Sequence, residues 1–168
     1  MIKFENAVEF EMSGCINVDI TAPLYWWDEF DTCQIGSIIN LYNTIHSIKN
    51  KEFSLDDFSH EYLTEANVRL LKDTIYILNF WRSKLVSDEL PNMLLNMTES
   101  DIRYQIVQLL PSSYNQKRTV MLTNEDLVDI CKNCKDFELA EWLTLCNWIE
   151  QLLDEVELKR PEETEQNP

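Results

Sequence analysis

The sequence predicts an α+β fold, a small sheet accompanied by about five helices. Three observations predict it: period-two apolar alternation over residues 4–20, helical apolar spacing in five later stretches, and a short branched run near Lys117 bounded by turn residues. Phe4, Ala7/Val8 and Phe10, then Ile16, Val18 and Ile20, alternate with polar residues and read as two short strands joined at Ser13-Gly14. Ile35, Ile38, Ile39, Tyr42 and Ile45 carry helical spacing up to the break at Lys49-Asn50-Lys51. Ser54-Leu55-Asp56-Asp57 offers a cap for a long helix whose apolar face is Val68, Leu71, Ile75, Leu78, Trp81/Arg82 and Leu85.

After Pro91, Thr98-Glu99-Ser100-Asp101 caps a helix carrying Ile102, Ile106 and Leu109, which Pro111 ends. Lys117 to Leu122 is short and branched and reads as a strand. Thr123, with Asp126 three residues on, caps a helix with inner face Leu127, Ile130, Cys131 and Cys134. Phe137, Ala140/Glu141, Leu145, Trp148 and Leu152 line a last helix. Residues 1–154 thus read as a single domain, and the acidic, proline-containing stretch 155–168 as a disordered tail.

A chain of 168 residues with 45% apolar content buries a core without disulfide or metal staples. Thirty acids against 14 bases give a net charge of −16, which excludes nucleic acid as a direct partner, because phosphate affinity comes from Lys and Arg. An anionic membrane is disfavoured on the same ground. Gly14 and Gly36, the two glycines, leave no room for a glycine-rich phosphate loop, so dinucleotide-binding folds and P-loop NTPases are excluded. No run approaches the length of a bilayer span, and MIKFENAVEF lacks the order of a signal peptide, so a cytoplasmic protein is expected. Five cysteines in apolar contexts suit reduced core thiols. Residues 1–48 carry seven acids against Lys3, and residues 136–168 carry ten against Lys159 and Arg160, so the two ends account for −14 of the net charge. A fold that gathers these ends on one side attracts a basic partner; the bland reading is a solvated surface.

Cys131-x-x-Cys134 has no second pair and no nearby histidine at zinc spacing, which favours buried thiols over a metal site. His46 and His60 are the only histidines, and His46 reads as a helix-end residue rather than a catalytic one. Tyr25-Trp26-Trp27 places three large rings in a row, which cannot all enter one core, so a subunit or partner contact is expected there. Asp28, Glu29 and Asp31 follow directly. Lys117 and Arg118, beside Ser112, Ser113, Tyr114 and Asn115, offer positive donors for one anionic group such as a nucleotide phosphate, against the alternative of a plain strand edge.

Two segments, APLYWWDEFDTCQIGSIINLYNTIH (22–46) and LLPSSYNQKRTVMLTNEDLVDICKNCKDFELAEW (109–142), together with the ENAVEF start, resemble the flavin-dependent thymidylate synthases, in particular a phage branch of small proteins. Thr32-Cys33-Gln34 stand where that family carries an Arg-His-Arg triplet. Asn40 matches a family Asn, while Leu41 replaces its acid and Asn43 its Ser. Leu110-Pro111 matches as well, but Thr123, Glu125 and Cys134 fall at ligand positions, and the flavin-binding stretch before Ala22 is missing. The resemblance implies a short antiparallel sheet packed by helices, thymidylate-synthase-complementing-like, often a symmetric homo-oligomer, from a phage in a bacterial host. The missing cations imply that catalysis is gone, with no cofactor and no metal.

The expectation is therefore a non-catalytic phage protein that binds a host protein with a basic surface, a counter-defence inhibitor of anti-CRISPR type whose acidic face blocks a nucleic-acid-handling complex. Its contact residues would be Tyr25, Trp26, Trp27, Asp28, Glu29 and Asp31, with the acidic end of the last helix as a second patch. The alternative is a nucleotide-binding or nucleotide-signal-sequestering protein with Asn40, Ser112, Ser113, Lys117 and Arg118 lining the pocket. A working enzyme of nucleotide metabolism with FAD is the third reading.

Overall fold

The computed structural model describes residues 2–10, 14–33, 35–41, 49, 51–87, 97–133 and 138–159. The elements run β1 (Lys3–Phe10), β2 (Cys15–Pro23), α1 (Leu24–Cys33), β3 (Ser37–Leu41), a 3₁₀ turn (Leu55–Asp57), α2 (Glu65–Val86), α3 (Glu99–Leu109), β4 (Asn115–Thr123), α4 (Asn124–Asn133) and α5 (Ala140–Lys159). The fold is α+β. Its four strands form one antiparallel sheet in the order β1-β2-β4-β3, with five α-helices among the described residues.

Alternation along β2 and β4 gives the sheet one apolar face. Ile16, Val18, Ile20 and Ala22 of β2 and Val120 and Leu122 of β4 are buried against α1, α4 and α5. A smaller cluster of Phe53, Phe58, Leu71, Ile75, Leu78 and Ile106 packs α2 against α3 and the 3₁₀ turn. The turn at residues 111–114 joins the two. The carbonyls of Tyr114 and Ser112 accept the amides of Leu24 and Tyr25 at 3.0 Å each, satisfying donors that open α1, and the Ser113 carbonyl accepts the Ser59 amide at 2.8 Å.

A bulge interrupts β1. Glu5 faces Asp19 and Val8 faces Asn17, so Asn6 and Ala7 together oppose one residue, and Asn6 takes the left-handed conformation at φ 52°. Phe4 consequently packs on the core, stacked on Trp148 with ring centroids 4.7 Å apart, whereas Val8 is exposed.

The expected hairpin, the strand after Pro111 and the helices over α2, α3, α4 and α5 are present. Three expectations are corrected. The helix expected from Ile35 is instead β3 over Ser37–Leu41, because β-branched Ile38 and Ile39 follow Gly36 and pair with β4; residues 42–48, His46 among them, lie outside the described residues. The helix α1 was not expected at all. Ser54 and Asp57 form a capping box on the 3₁₀ turn, while α2 is capped by Thr64, whose hydroxyl accepts the Asn67 amide. The capping boxes Thr98/Asp101 and Thr123/Asp126 are as expected, with Thr123 amide to Asp126 Oδ2 at 2.8 Å and Asp126 amide to Thr123 Oγ1 at 3.1 Å. Helix α5 continues to Lys159, past the expected tail boundary at 155; residues 160–168 lie outside the described residues, as do Cys134 and Phe137. Among the described residues, no helix is long and apolar enough to cross a membrane.

Candidate functional site

Successive residues on a strand point to opposite faces, so Lys117 and Arg118 of β4 are divided between the two sides of the sheet. Arg118 lies on the core side and is 8% exposed. Its guanidinium carbon sits 4.4 Å from the centroid of a Trp27 ring. Nη1 donates to both Asp31 oxygens, at 2.8 and 3.0 Å, and Nε donates to Gln116 Oε1 at 2.8 Å. Lys117, on the far side, donates to Glu5 at 3.0 Å and reaches Asp19 at 3.1 Å.

The far-side cluster centres on Asp19, which is 8% exposed. Thr119 Oγ1 donates to its Oδ1 at 2.7 Å, and Asn6 Nδ2, aimed by the bulge, donates to its Oδ2 at 2.9 Å. These two hydrogen bonds, with Lys117, hold the Asp19 carboxyl below its ordinary range despite burial. Glu5 first, and then Asp19, holds the Lys117 ammonium above its usual value. Because Asp19 is more acidic folded than unfolded, its contribution to stability is complete above about pH 4. It is lost as pH falls through the lowered folded value. Urea midpoints are expected to drop as pH falls below about 4, and Asp19→Asn to flatten that drop; an unchanged pH slope in the variant would refute the assignment.

The expected donor cluster is therefore not assembled. Its two cations face opposite ways and each is neutralised by carboxylates of the same chain. Ser112 and Ser113 use their carbonyls to tie α1 and Ser59 to the turn. Asn40 sits in β3 opposite Thr119, two positions along β4 from Lys117.

The aromatic and acidic run of α1 is corrected in a similar way. Trp26 and Trp27 are fully buried, so they are core residues rather than partner contacts. One turn of helix carries Trp26, Trp27 and Phe30 to the same side, where Trp26 and Phe30 meet Trp142 of α5 at centroid separations of 5.1 and 6.1 Å. Trp27 Nε1 donates to the Gln116 carbonyl at 2.9 Å. Tyr25 is half-buried, and its hydroxyl donates to the buried Glu141 carboxylate. Glu29 accepts from Trp142 Nε1 at 2.8 Å, and Asp31 holds Arg118. The run is a clamp between β4 and α5, and of its three acids Asp28 and Asp31 remain exposed.

Sequence reasoning missed Asp19 and Glu141. Strand alternation put Asp19 on the polar side, and only the pairing of β2 with β4 reveals Thr119 opposite it.

The resolved shifts move groups away from neutrality. Burial first, and then Glu141, raises the Tyr25 phenol above its ordinary value, and burial raises the Cys33 thiol. Asp57, Asp101 and Asp126 are lowered, and Lys49 with Arg103 draws Glu99 down to about 2. Such groups are poorly matched to acid–base work near pH 7. Among the described residues, no group of three or more His, Cys, Asp or Glu is placed to hold a metal ion.

No protein-family model and no curated protein matches the sequence. Among solved structures, the chain is similar to thymidylate synthase X from Helicobacter pylori, crystallised with FAD and dUMP. The two are 18% identical, the alignment covers 87% of this chain and 74% of that one, and the TM-score is 0.49.

Proposed function

We propose that the chain acts by binding another protein, without catalysis and without a cofactor, and that its partner is the basic surface of a host nucleic-acid-handling complex such as a CRISPR nuclease. On this reading it is a phage counter-defence protein made in a bacterial cytosol. The observation that carries the reading is the internal neutralisation of Lys117 by Glu5 and Asp19 and of Arg118 by Asp31. A phosphate would have to compete with those carboxylates for donors they already engage, in a chain whose net charge is −16. The same surplus of acids speeds encounter with a cationic groove.

The contact surface falls on exposed Asp28 and the open edge of Asp31, with the acidic end of α5, where Glu150 and Asp154 are exposed, as a second patch. In a reconstituted RNA-guided DNA-cleavage assay, the chain is expected to inhibit stoichiometrically and to lose potency as salt rises. Asp28→Lys and Asp154→Lys are each expected to weaken inhibition without lowering the urea midpoint. Glu29 and Asp31 are unsuitable for charge reversal, since they hold Trp142 and Arg118. Purified protein that carries flavin, or that binds dUMP calorimetrically, would replace this reading with the nucleotide-binding one.

A further inference from the structure

Helix α2 has two apolar faces. Leu71, Ile75 and Leu78 point into the smaller cluster. On the opposite side Ala66, Leu70, Asp73, Ile77, Phe80 and Lys84 follow one another at intervals of four and three residues, the spacing of a coiled-coil seam. This seam is open: Leu70 is 66% exposed, Ile77 44% and Phe80 43%. We propose that the seam is a self-association surface on which a second copy of this chain lays its own α2 antiparallel.

The occupant is argued from charge placement. The seam holds one acid and one base, Asp73 four residues before Ile77 and Lys84 four residues after Phe80, so it is mirror-related about the Ile77/Phe80 pair. In a two-fold antiparallel pairing, the register that sets Asp73 against Lys84 of the second copy also sets Ile77 against Phe80 of the second copy. The symmetry repeats both contacts. A parallel pairing would instead place Asp73 on Asp73 and Lys84 on Lys84, burying like charges. The Lys84 ammonium already leans over the seam, 5.1 Å from the Phe80 ring centroid. An unrelated partner would not require this mirror relation.

Sedimentation velocity of the full chain over a concentration series tests it. A reversible monomer–dimer equilibrium is expected, shifted to monomer by Asp73→Lys and by Lys84→Asp singly, and returned to dimer when the two are combined. Ile77→Glu gives a reading independent of charge exchange and is also expected to yield monomer. Asp73 and Ile77 are exposed and Lys84 is half-exposed, and circular dichroism with a urea midpoint verifies that each variant is folded. Wild-type protein that stays monomeric at millimolar concentration, a dimer indifferent to Ile77→Glu, or a double variant that stays monomeric would each overturn the proposal.

Discussion

Trp27→Ala is expected to cost about 3–5 kcal/mol of stability, the range for emptying a large aromatic site in a core. The side chain is fully buried between Trp26 and Phe30, at centroid separations of 4.9 and 5.3 Å. Its removal also deprives the Gln116 carbonyl of a donor and uncovers the face on which the Arg118 guanidinium rests. Trp27→Phe keeps the aromatic face but not the N–H, and should cost less, about 1 kcal/mol for the hydrogen bond plus the smaller ring volume. Urea denaturation followed by circular dichroism measures both. Unchanged stability in Trp27→Ala would return the residue to the role of a surface contact.

The second large effect is at Gly36, which enters β3 at φ 68°. A Cβ there would lie 2.7 Å from Leu122 Cδ2 and 2.9 Å from the Met121 carbonyl oxygen. The left-handed conformation alone costs an L-residue about 1–2 kcal/mol. Overpacking against a backbone atom held in β4 adds about 1–3 kcal/mol. Gly36→Ala is therefore expected to lower stability by about 2–5 kcal/mol, with β3 loosened from the sheet in hydrogen exchange. Gly14→Ala is the comparison: its φ is also positive, but the new Cβ meets the Asn124 side-chain amide at 3.2 Å, which can move aside. Equal losses at the two sites would contradict the packing argument.

The hairpin, α2, α3 and the capping boxes were legible because each is encoded within a few residues, by alternation, by three-to-four spacing or by a hydroxyl with an acid three positions on. Helix α1 was not, although Trp26, Trp27 and Phe30 are spaced for it. It starts directly from a strand, and its opening amides are satisfied by carbonyls some ninety residues away, leaving no local cap to read. Segment 35–42 carries helical spacing and still pairs with β4 over Ser37–Leu41, a case of tertiary pairing overriding periodicity. The division of Lys117 from Arg118 was legible in principle, since adjacent residues of any strand face apart. What the residues could not disclose was which carboxylates meet them, because Asp31 and Glu5 come from distant segments joined only by the register of the sheet.

The kink at Asn6 and Ala7 acts as a phase shifter for the N-terminal strand. Four residues apart, Phe4 and Val8 would share a face in an unbroken strand; instead Phe4 looks inward opposite Ile20 and Val8 outward opposite Asn17. Excising Ala7 would erase the half-step. Val8 would keep its place opposite Asn17 and go on facing outward, but Asn6 would be turned inward opposite the buried Val18, so the asparagine that grips Asp19 would lose its aim and a polar side chain would press on the core.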